Sequence, residues 1–194
     1  IETTGSGGQK YGVWCVDGMI MRHTGLLNDY VGAGMSGGKI IVVPPKQIKN
    51  GSSLAGNGCA YGATGGEQYY RGYVGQRFGV RNSGATLIAE GTGKYAFEYM
   101  TGGIGINIGR PGNVIGTGMT GGELFYYAKN PGAVQNRLSH DYVESVSMDD
   151  ASLGRLKENL INYAKETDSP NTLRILKNWE KEKHRFMHIV PKRR

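Results

Sequence analysis

Short β-forming runs of hydrophobic residues recur along the first two thirds of this chain, each entered through a Ser/Thr-Gly turn. Met35-Ser36-Gly37-Gly38 leads into Lys39-Ile40-Ile41-Val42-Val43, and Ala63-Thr64-Gly65-Gly66 into Glu67-Gln68-Tyr69-Tyr70. Asn82-Ser83-Gly84-Ala85 leads into Thr86-Leu87-Ile88-Ala89, and Met100-Thr101-Gly102-Gly103 into Ile104-Gly105-Ile106-Asn107-Ile108. Met119-Thr120-Gly121-Gly122 then opens Glu123-Leu124-Phe125-Tyr126-Tyr127. The steps from Gly65 through Gly84 and Gly102 to Gly121 are 19, 18 and 19 residues. The earlier step, from Gly37 to Gly65, is 28, which places an inserted loop over Pro44–Ser53. With these glycines aligned, the fourth residue onward is Ile41, Tyr69, Ile88, Ile106 and Phe125, a wholly apolar column. The second is Lys39, Glu67, Thr86, Ile104 and Glu123, mostly polar.

A fixed period with one strand and one glycine turn per unit is the mark of a solenoid, because a unit this small buries its apolar face only by stacking on its neighbours. The pattern predicts parallel strands in register, with the apolar column piled inside the coil. No six-residue aliphatic period of the left-handed kind is present, so the expected fold is a right-handed parallel β-helix. Gly32-Ala33-Gly34-Met35-Ser36-Gly37 and Gly116-Thr117-Gly118-Met119-Thr120-Gly121 both spell G-x-G-x-x-G. A dinucleotide fingerprint runs from a strand into a helix, with an acidic residue about twenty positions later. Both copies here run into β-formers at the same phase of the repeat, so they read as structural turns.

The pattern changes after Asn136. Leu153, Leu156, Leu160, Ile161 and Ala164 follow Asp149-Asp150-Ala151-Ser152 at helical spacing, with the acidic residues where a helix amino terminus favours them. Ser169-Pro170 reads as an N-cap followed by proline in the first turn, opening a second helix with Leu173, Leu176 and Trp179 on one stripe. Phe186–Pro191 reads as a closing extended piece. Residues 1–136 are therefore expected to form the β-helix, and 137–194 a helical tail that packs on it or on a partner.

Composition supports that boundary. Of 33 glycines only Gly154 lies beyond residue 136, and the last 58 residues carry 21 charged side chains against 18 in the first 136. The net charge of +7 divides into +4 before the boundary (11 basic, 7 acidic) and +3 after it (12 basic, 9 acidic). Only Lys192-Arg193-Arg194 forms a basic run. Nucleic-acid binding needs clustered cations, and Tyr69-Tyr70-Arg71 and Arg77-Phe78 fit stacked sheet positions better than a base-stacking platform. Cys15 and Cys59 lack metal-site or disulfide spacing and read as small buried side chains in a reducing compartment, so the expected location is cytoplasmic. The apolar runs are strand-sized, too short to span a membrane as helices, and no signal peptide is evident.

Candidate chemistry is sparse. His184 and His188 are four residues apart without a third ligand, and read as a solvated helix end. Glu90 and Glu98 flank one coil and read as edge charges. No Ser-His-Asp order or activated cysteine emerges, and seven carboxylates in 136 residues leave little for paired acid–base work. The residues point to a scaffold, with no catalytic, cofactor-binding or metal-ligating residue assigned.

Four strings carry a more specific message. They are Asn28–Ile40, Tyr61–Glu67, Arg77–Ala85 and Glu98–Gly103, and together with Thr167–Pro170 and Ile175–Trp179 they resemble the C-terminal GXGXG domain of the glutamate synthase large (α) subunit. That resemblance covers nearly the whole chain. It implies a right-handed parallel β-helix without catalytic residues, a spacer between a glutaminase module and an FMN-containing synthase module of the enzyme that moves the amide nitrogen of glutamine onto 2-oxoglutarate. It implies too that FMN and the iron–sulfur cluster belong to partners, since Cys15 and Cys59 match none of the family's functional cysteines. The expected partners are those modules, with no nucleic acid and no membrane, and self-association is left open. Two other readings stand beside it: a component like the β-helical polypeptide of formylmethanofuran dehydrogenase, and a stand-alone β-helix that binds or transforms a ligand on its flank.

Overall fold

The computed structural model describes residues 1–48 and 51–192. Seven strands stack in parallel: β1 (Glu2–Ser6), β2 (Ile20–Leu26), β3 (Ser36–Val43), β5 (Gly65–Tyr70), β7 (Ser83–Gly91), β8 (Thr101–Arg110) and β9 (Gly121–Tyr127). A short second sheet pairs β4 (Ser53–Ala55) with β6 (Tyr73–Val74), also in parallel. The result is a parallel β-solenoid of about six turns. Successive rungs register as the repeat requires, Ile41 on Tyr69, Tyr69 on Ile88, Ile88 on Ile106 and Ile106 on Phe125. The β2 rung escapes the repeat because Asp17-Gly18-Met19 stands where later coils have Ser/Thr-Gly-Gly; there the Asp17 carboxylate accepts from the Gly38 N–H at 3.3 Å. The inserted loop begins as expected after β3, although Lys49 and Asn50 lie outside the described residues.

Each corner before a long strand alternates left-handed and extended residues. Tyr30, Gly32 and Gly34 have φ of 61°, 59° and 67°, and the same three positions in the next coils are Gly58, Ala60 and Gly62, then Arg77, Gly79 and Arg81. Tyr95, Phe97 and Tyr99 follow, then Val114, Gly116 and Gly118, while Lys10, Gly12 and Trp14 open the series. In the first five trios the first and third residues donate to the coil ahead, as Tyr30 N–H does to Asn57 O at 2.8 Å and Gly34 N–H to Tyr61 O at 2.8 Å. The middle one donates back, Gly32 N–H to Tyr11 O at 2.8 Å. The arc therefore satisfies its backbone between coils as a strand ladder does. Between the first and second αL residue of each of five trios the side chain enters the core, and Val31, Cys59, Phe78, Ala96 and Ile115 are buried. Both G-x-G-x-x-G strings are parts of this arc, and each leads into a strand, as the repeat phase predicts.

The Ser/Thr-Gly step that follows is set by close approach. A Cβ on Gly65, Gly84, Gly102 or Gly121 would stand 2.1–2.6 Å from the carbonyl oxygen of Ser36, Thr64, Ser83 or Thr101 in the coil below. Only glycine fits there.

The apolar column differs in one respect from its expected place. It is buried and in register, but on the outer face of the sheet. The lumen is filled by the alternate positions, among them Ile40, Val42, Tyr70, Leu87, Ala89, Leu124 and Tyr126. Ile41, Tyr69, Ile88, Ile106 and Phe125 belong to a second core with Leu156, Leu160, Tyr163, Ile175 and Trp179 of the tail. Fully buried parallel strands read apolar on both faces, so the period alone does not say which column faces the lumen.

The tail supplies the cover. α1 (Pro131–Gln135) and β10 (Val143–Val146) lead to α2 (Asp150–Thr167), α3 (Pro170–Lys177) and α4 (Trp179–Glu182). The Asp149 side chain caps α2 by accepting from Ser152 N–H at 2.8 Å, a role the sequence anticipates only as an acidic helix start, and the Ser169 hydroxyl caps α3 by accepting from Thr172 N–H at 3.1 Å, as expected. The closing piece is β11 (Phe186–Pro191), which pairs antiparallel with β9 on one side and β10 on the other. It covers what would otherwise be an open edge at the end of the stack.

Candidate functional site

Most of the ion pairs among the described residues lie along the seam between the outer sheet face and the tail. At one margin Lys39 Nζ lies 3.0 Å from both Glu67 Oε2 and Glu166 Oε1. Arg22 donates to the Glu166 carbonyl at 2.7 Å and to its carboxylate at 2.9 Å. Arg71 donates at 2.9 Å to the carbonyl of Thr167, where a cation suits the carboxyl end of α2. At the other margin Arg155 and His188 both donate to Glu123, Arg155 Nε at 2.7 Å and His188 Nε2 at 2.9 Å. Burial pushes the Glu123 carboxyl up, but those hydrogen bonds and the Arg155 charge outweigh it and hold it at about 2.

Two residues correct the sequence reading. Glu90 is no edge charge; it is buried beneath the turn between α2 and α3, where the hydroxyls of Tyr163 and Ser169 and the Asn171 amide all donate to it. Glu98 remains half-buried in its arc. His188 is not on a solvated helix end: it lies in β11, 8 % exposed, stacked on Phe125 at 4.8 Å and 10°. His184 sits in the 3₁₀ turn before that strand. The pair therefore shares no helical face, and among the described residues no group of three His, Cys, Asp or Glu side chains could hold a metal ion.

Cys15 and Cys59 are free and buried. Burial raises both thiols, Cys59 to about 12, so neither is a thiolate at neutral pH. Tyr69, Tyr70 and Phe78, the rings that a base-stacking platform would have to expose, are fully buried. A cleft of about 300 Å³ opens at the end of the stack between Ile108, Pro111, Tyr127, Val134 and Arg137. A shallower groove of about 420 Å³ runs over Asp17, Gly38, Gly66 and Thr86, along the polar column beside Lys39 and Glu67. Among the described residues no helix is long and apolar enough to cross a membrane.

Stacked αL arcs, glycines pressed on the coil below and a helix-covered outer face define a specific architecture, and a family model described as the GXGXG motif matches residues 1–192. The chain belongs to the GXGXG family. Its relatives include the ferredoxin-dependent glutamate synthase of Antithamnion sp., 40% identical over 98% of this chain and 13% of that protein. The ferredoxin-dependent glutamate synthase 1 of Arabidopsis thaliana is 40% identical over 96% of this chain and 12% of its own length. The large chain of the NADPH glutamate synthase of Bacillus subtilis is 36% identical over 99% of this chain and 13% of its own. The GXGXG domain thus spans about an eighth of the curated relatives it matches. The arc trios explain the motif: alternate residues take positive φ, and glycine takes it with no side-chain penalty.

Proposed function

We propose that this chain is a non-catalytic scaffold of a glutamate synthase, holding a glutaminase module and an FMN-containing synthase module in fixed relation. On this reading residues 1–136 are the rigid β-helix and 137–194 the tail that locks its outer face, while FMN and the iron–sulfur cluster are held by the partners. The relatives include enzymes named for ferredoxin and for NADPH, and this domain is shared by both, so the reading is independent of the electron donor.

The observation that carries it is how the seam uses its chemistry. Glu90, Glu123, Glu166 and Glu182 each accept from groups that join tail to coil, sheet to strand or helix to sheet. A buried carboxylate held by neutral donors, as Glu90 is, rigidifies a join.

The reading is tested by tagging the chain in its native cells and purifying it at moderate salt. The expected eluate contains flavin-bearing polypeptide and, given a two-electron reductant, converts glutamine and 2-oxoglutarate to two glutamates, while the chain stripped of partners does neither. Stoichiometric flavin or iron on the stripped chain overturns the proposal. So does recovery with RNA or DNA that is lost as salt rises.

A further inference from the structure

The αL arcs form a flank of the solenoid that the tail leaves open except at the last arc, where Arg137–Ser139 pairs with Ile115. All the exposed tryptophan and tyrosine side chains among the described residues stand on it: Trp14 (73 % exposed), Tyr99 (55 %), Tyr30 and Tyr61. Lys10, Arg77 and Arg81 occupy arc positions beside them, and Lys94 immediately precedes an arc. None of these four cations makes an ion pair with another described residue, whereas Arg22, Lys39, Arg155, Arg174 and Arg185 along the tail seam all do. The arcs hold two acidic groups, Glu98 and Asp29, and the Asp29 carboxylate is engaged by the Asn57 N–H at 2.7 Å.

The backbone gives a second, independent observation. Trp14, Arg81 and Tyr99 occupy the same arc position as Gly34, Gly62 and Gly118, and Lys10, Tyr30 and Arg77 the same position as Gly58. The fold accepts glycine at these places, and a bulky residue at φ near 60° is strained. The large side chains stand there against that local preference, and they are exposed. Their neighbours hold them flat: a Cβ on Gly34 would stand 2.5 Å from the Trp14 ring, one on Gly118 2.5 Å from Tyr99, and one on Gly58 2.6 Å from Tyr30. Glycine in the next coil lets each ring lie down. Beside them runs a column of exposed Ser36, Thr64, Ser83, Thr101 and Thr120.

We propose that this arc flank is a docking surface for an acidic protein surface, which, resting on the function proposed above, belongs to the glutaminase or FMN synthase module. Trp, Tyr and Arg are the side chains that anchor protein interfaces, and rings already held flat lose little freedom on binding. Carboxylates of the partner pair with Lys10, Arg77 and Arg81 around the rings. A nucleic-acid track fits less well, because the cations are interrupted by glycine and tyrosine coils and share the arcs with Glu98, where a backbone-tracking groove is continuously positive.

Photo-cross-linking p-benzoylphenylalanine placed singly at Tyr61 and Tyr99 tests this in native cells, with Ile161 and Leu173 on exposed tail positions for comparison. The arc sites are expected to give adducts with Asp- or Glu-bearing peptides of a glutaminase or FMN synthase polypeptide. The double variant Arg77→Ala, Arg81→Ala should lower their yield by about ten-fold. No adduct at either arc site overturns the inference, as does an adduct with nucleic acid or with a second copy of this chain. Adducts with the synthase from the tail sites alone leave the function standing and remove the surface. Adducts from the arc with an acidic protein unrelated to glutamate synthesis keep the surface and remove the function. Trp14→Gly and Tyr99→Gly should preserve the melting temperature, since glycine relieves φ, while reducing the yield at Tyr61. A large fall in melting temperature would show that the rings serve only the fold, and overturns the inference.

Discussion

Residue by residue, this fold is governed by where a Cβ can go. Glycine serves at two kinds of site: it is favoured at the αL positions, which other residues also take, and required at the steps where one coil rests on the carbonyl below. The second is the stricter. At Gly84 an added Cβ would meet Thr64 O at 2.3 Å, a backbone atom that cannot swing aside. Gly84→Ala is therefore expected to destabilise the chain by about 1–3 kcal/mol or more, in the manner of overpacking. Ser83→Ala beside it removes an exposed hydroxyl and should stay within about 0.5 kcal/mol of the parent. Urea midpoints for the two variants check this, and equal midpoints would show that the Ser/Thr-Gly step has another cause. The next residue shows how the rule relaxes. Ala85 stands where other coils have a second glycine at positive φ, and the buried Asn82 side chain accepts from Ala85 N–H and donates to Ala85 O, both at 2.9 Å, to hold that turn.

For the elements, the sheet has two inner surfaces, one facing the lumen and one facing the tail. Leu87 and Ile88 are adjacent in β7 and both fully buried, but Leu87 packs among Phe78 and Phe97 while Ile88 packs beneath α2. An aspartate at either place is an unpaired buried charge, costing several kcal/mol. The consequences differ. Leu87→Asp is expected to disrupt the coil itself. Ile88→Asp should release the tail first, and because short helices are marginal alone, much of the helical signal should vanish with it. Circular dichroism with limited proteolysis after Val146 distinguishes them. Early cleavage there in Ile88→Asp, with the coil intact, is expected; identical behaviour of both variants would place the column in the lumen. The tail's own ends were legible from the chain, since Asp149 and Ser169-Pro170 are local capping signals acting within one turn. α1 carries a similar signal in Asn130-Pro131, whose Asn130 side chain accepts from Gly132 N–H at 3.1 Å, but its single turn has no apolar period to announce it, and β10 is a strand only because β11 runs beside it.

At the scale of the whole molecule, Glu123 joins three elements, since it lies in β9 and is held by Arg155 of α2 and His188 of β11. Its folded pKa lies at about 2, below its ordinary value of 4.5. The sign follows from linkage: the carboxylate's contribution is present above about pH 4.5 and is lost as pH falls from there toward 2. The melting temperature should drop over that window, and Glu123→Gln, lower at neutral pH, should show a flatter profile. Parallel profiles for parent and variant would mean that this junction does not close the end of the stack. The two flanks differ in the same electrostatic terms. On the seam Arg22, Lys39, Arg155, Arg174 and Arg185 pair with carboxylates of the chain, while Lys10, Arg77, Arg81 and Lys94 by the arcs pair with none among the described residues, so the arc flank is suited to a partner.

The repeat, its register and the helical tail were determined by the sequence alone, because a one-strand period, glycine steps and N-caps are local rules that act within a coil or a turn. The αL arcs belong partly to the same class: their glycines are visible, but Arg81 and Tyr99 take the conformation with the neighbouring coils bonded to both sides of their arcs, and Trp14 with the coil ahead. Tertiary structure alone decided which apolar column faces the lumen, that Glu90 and His188 are buried, and that the exposed rings lie on one flank. Each of these depends on what the tail covers, and a pattern of period two within a strand is the same whether its second face meets water or a helix.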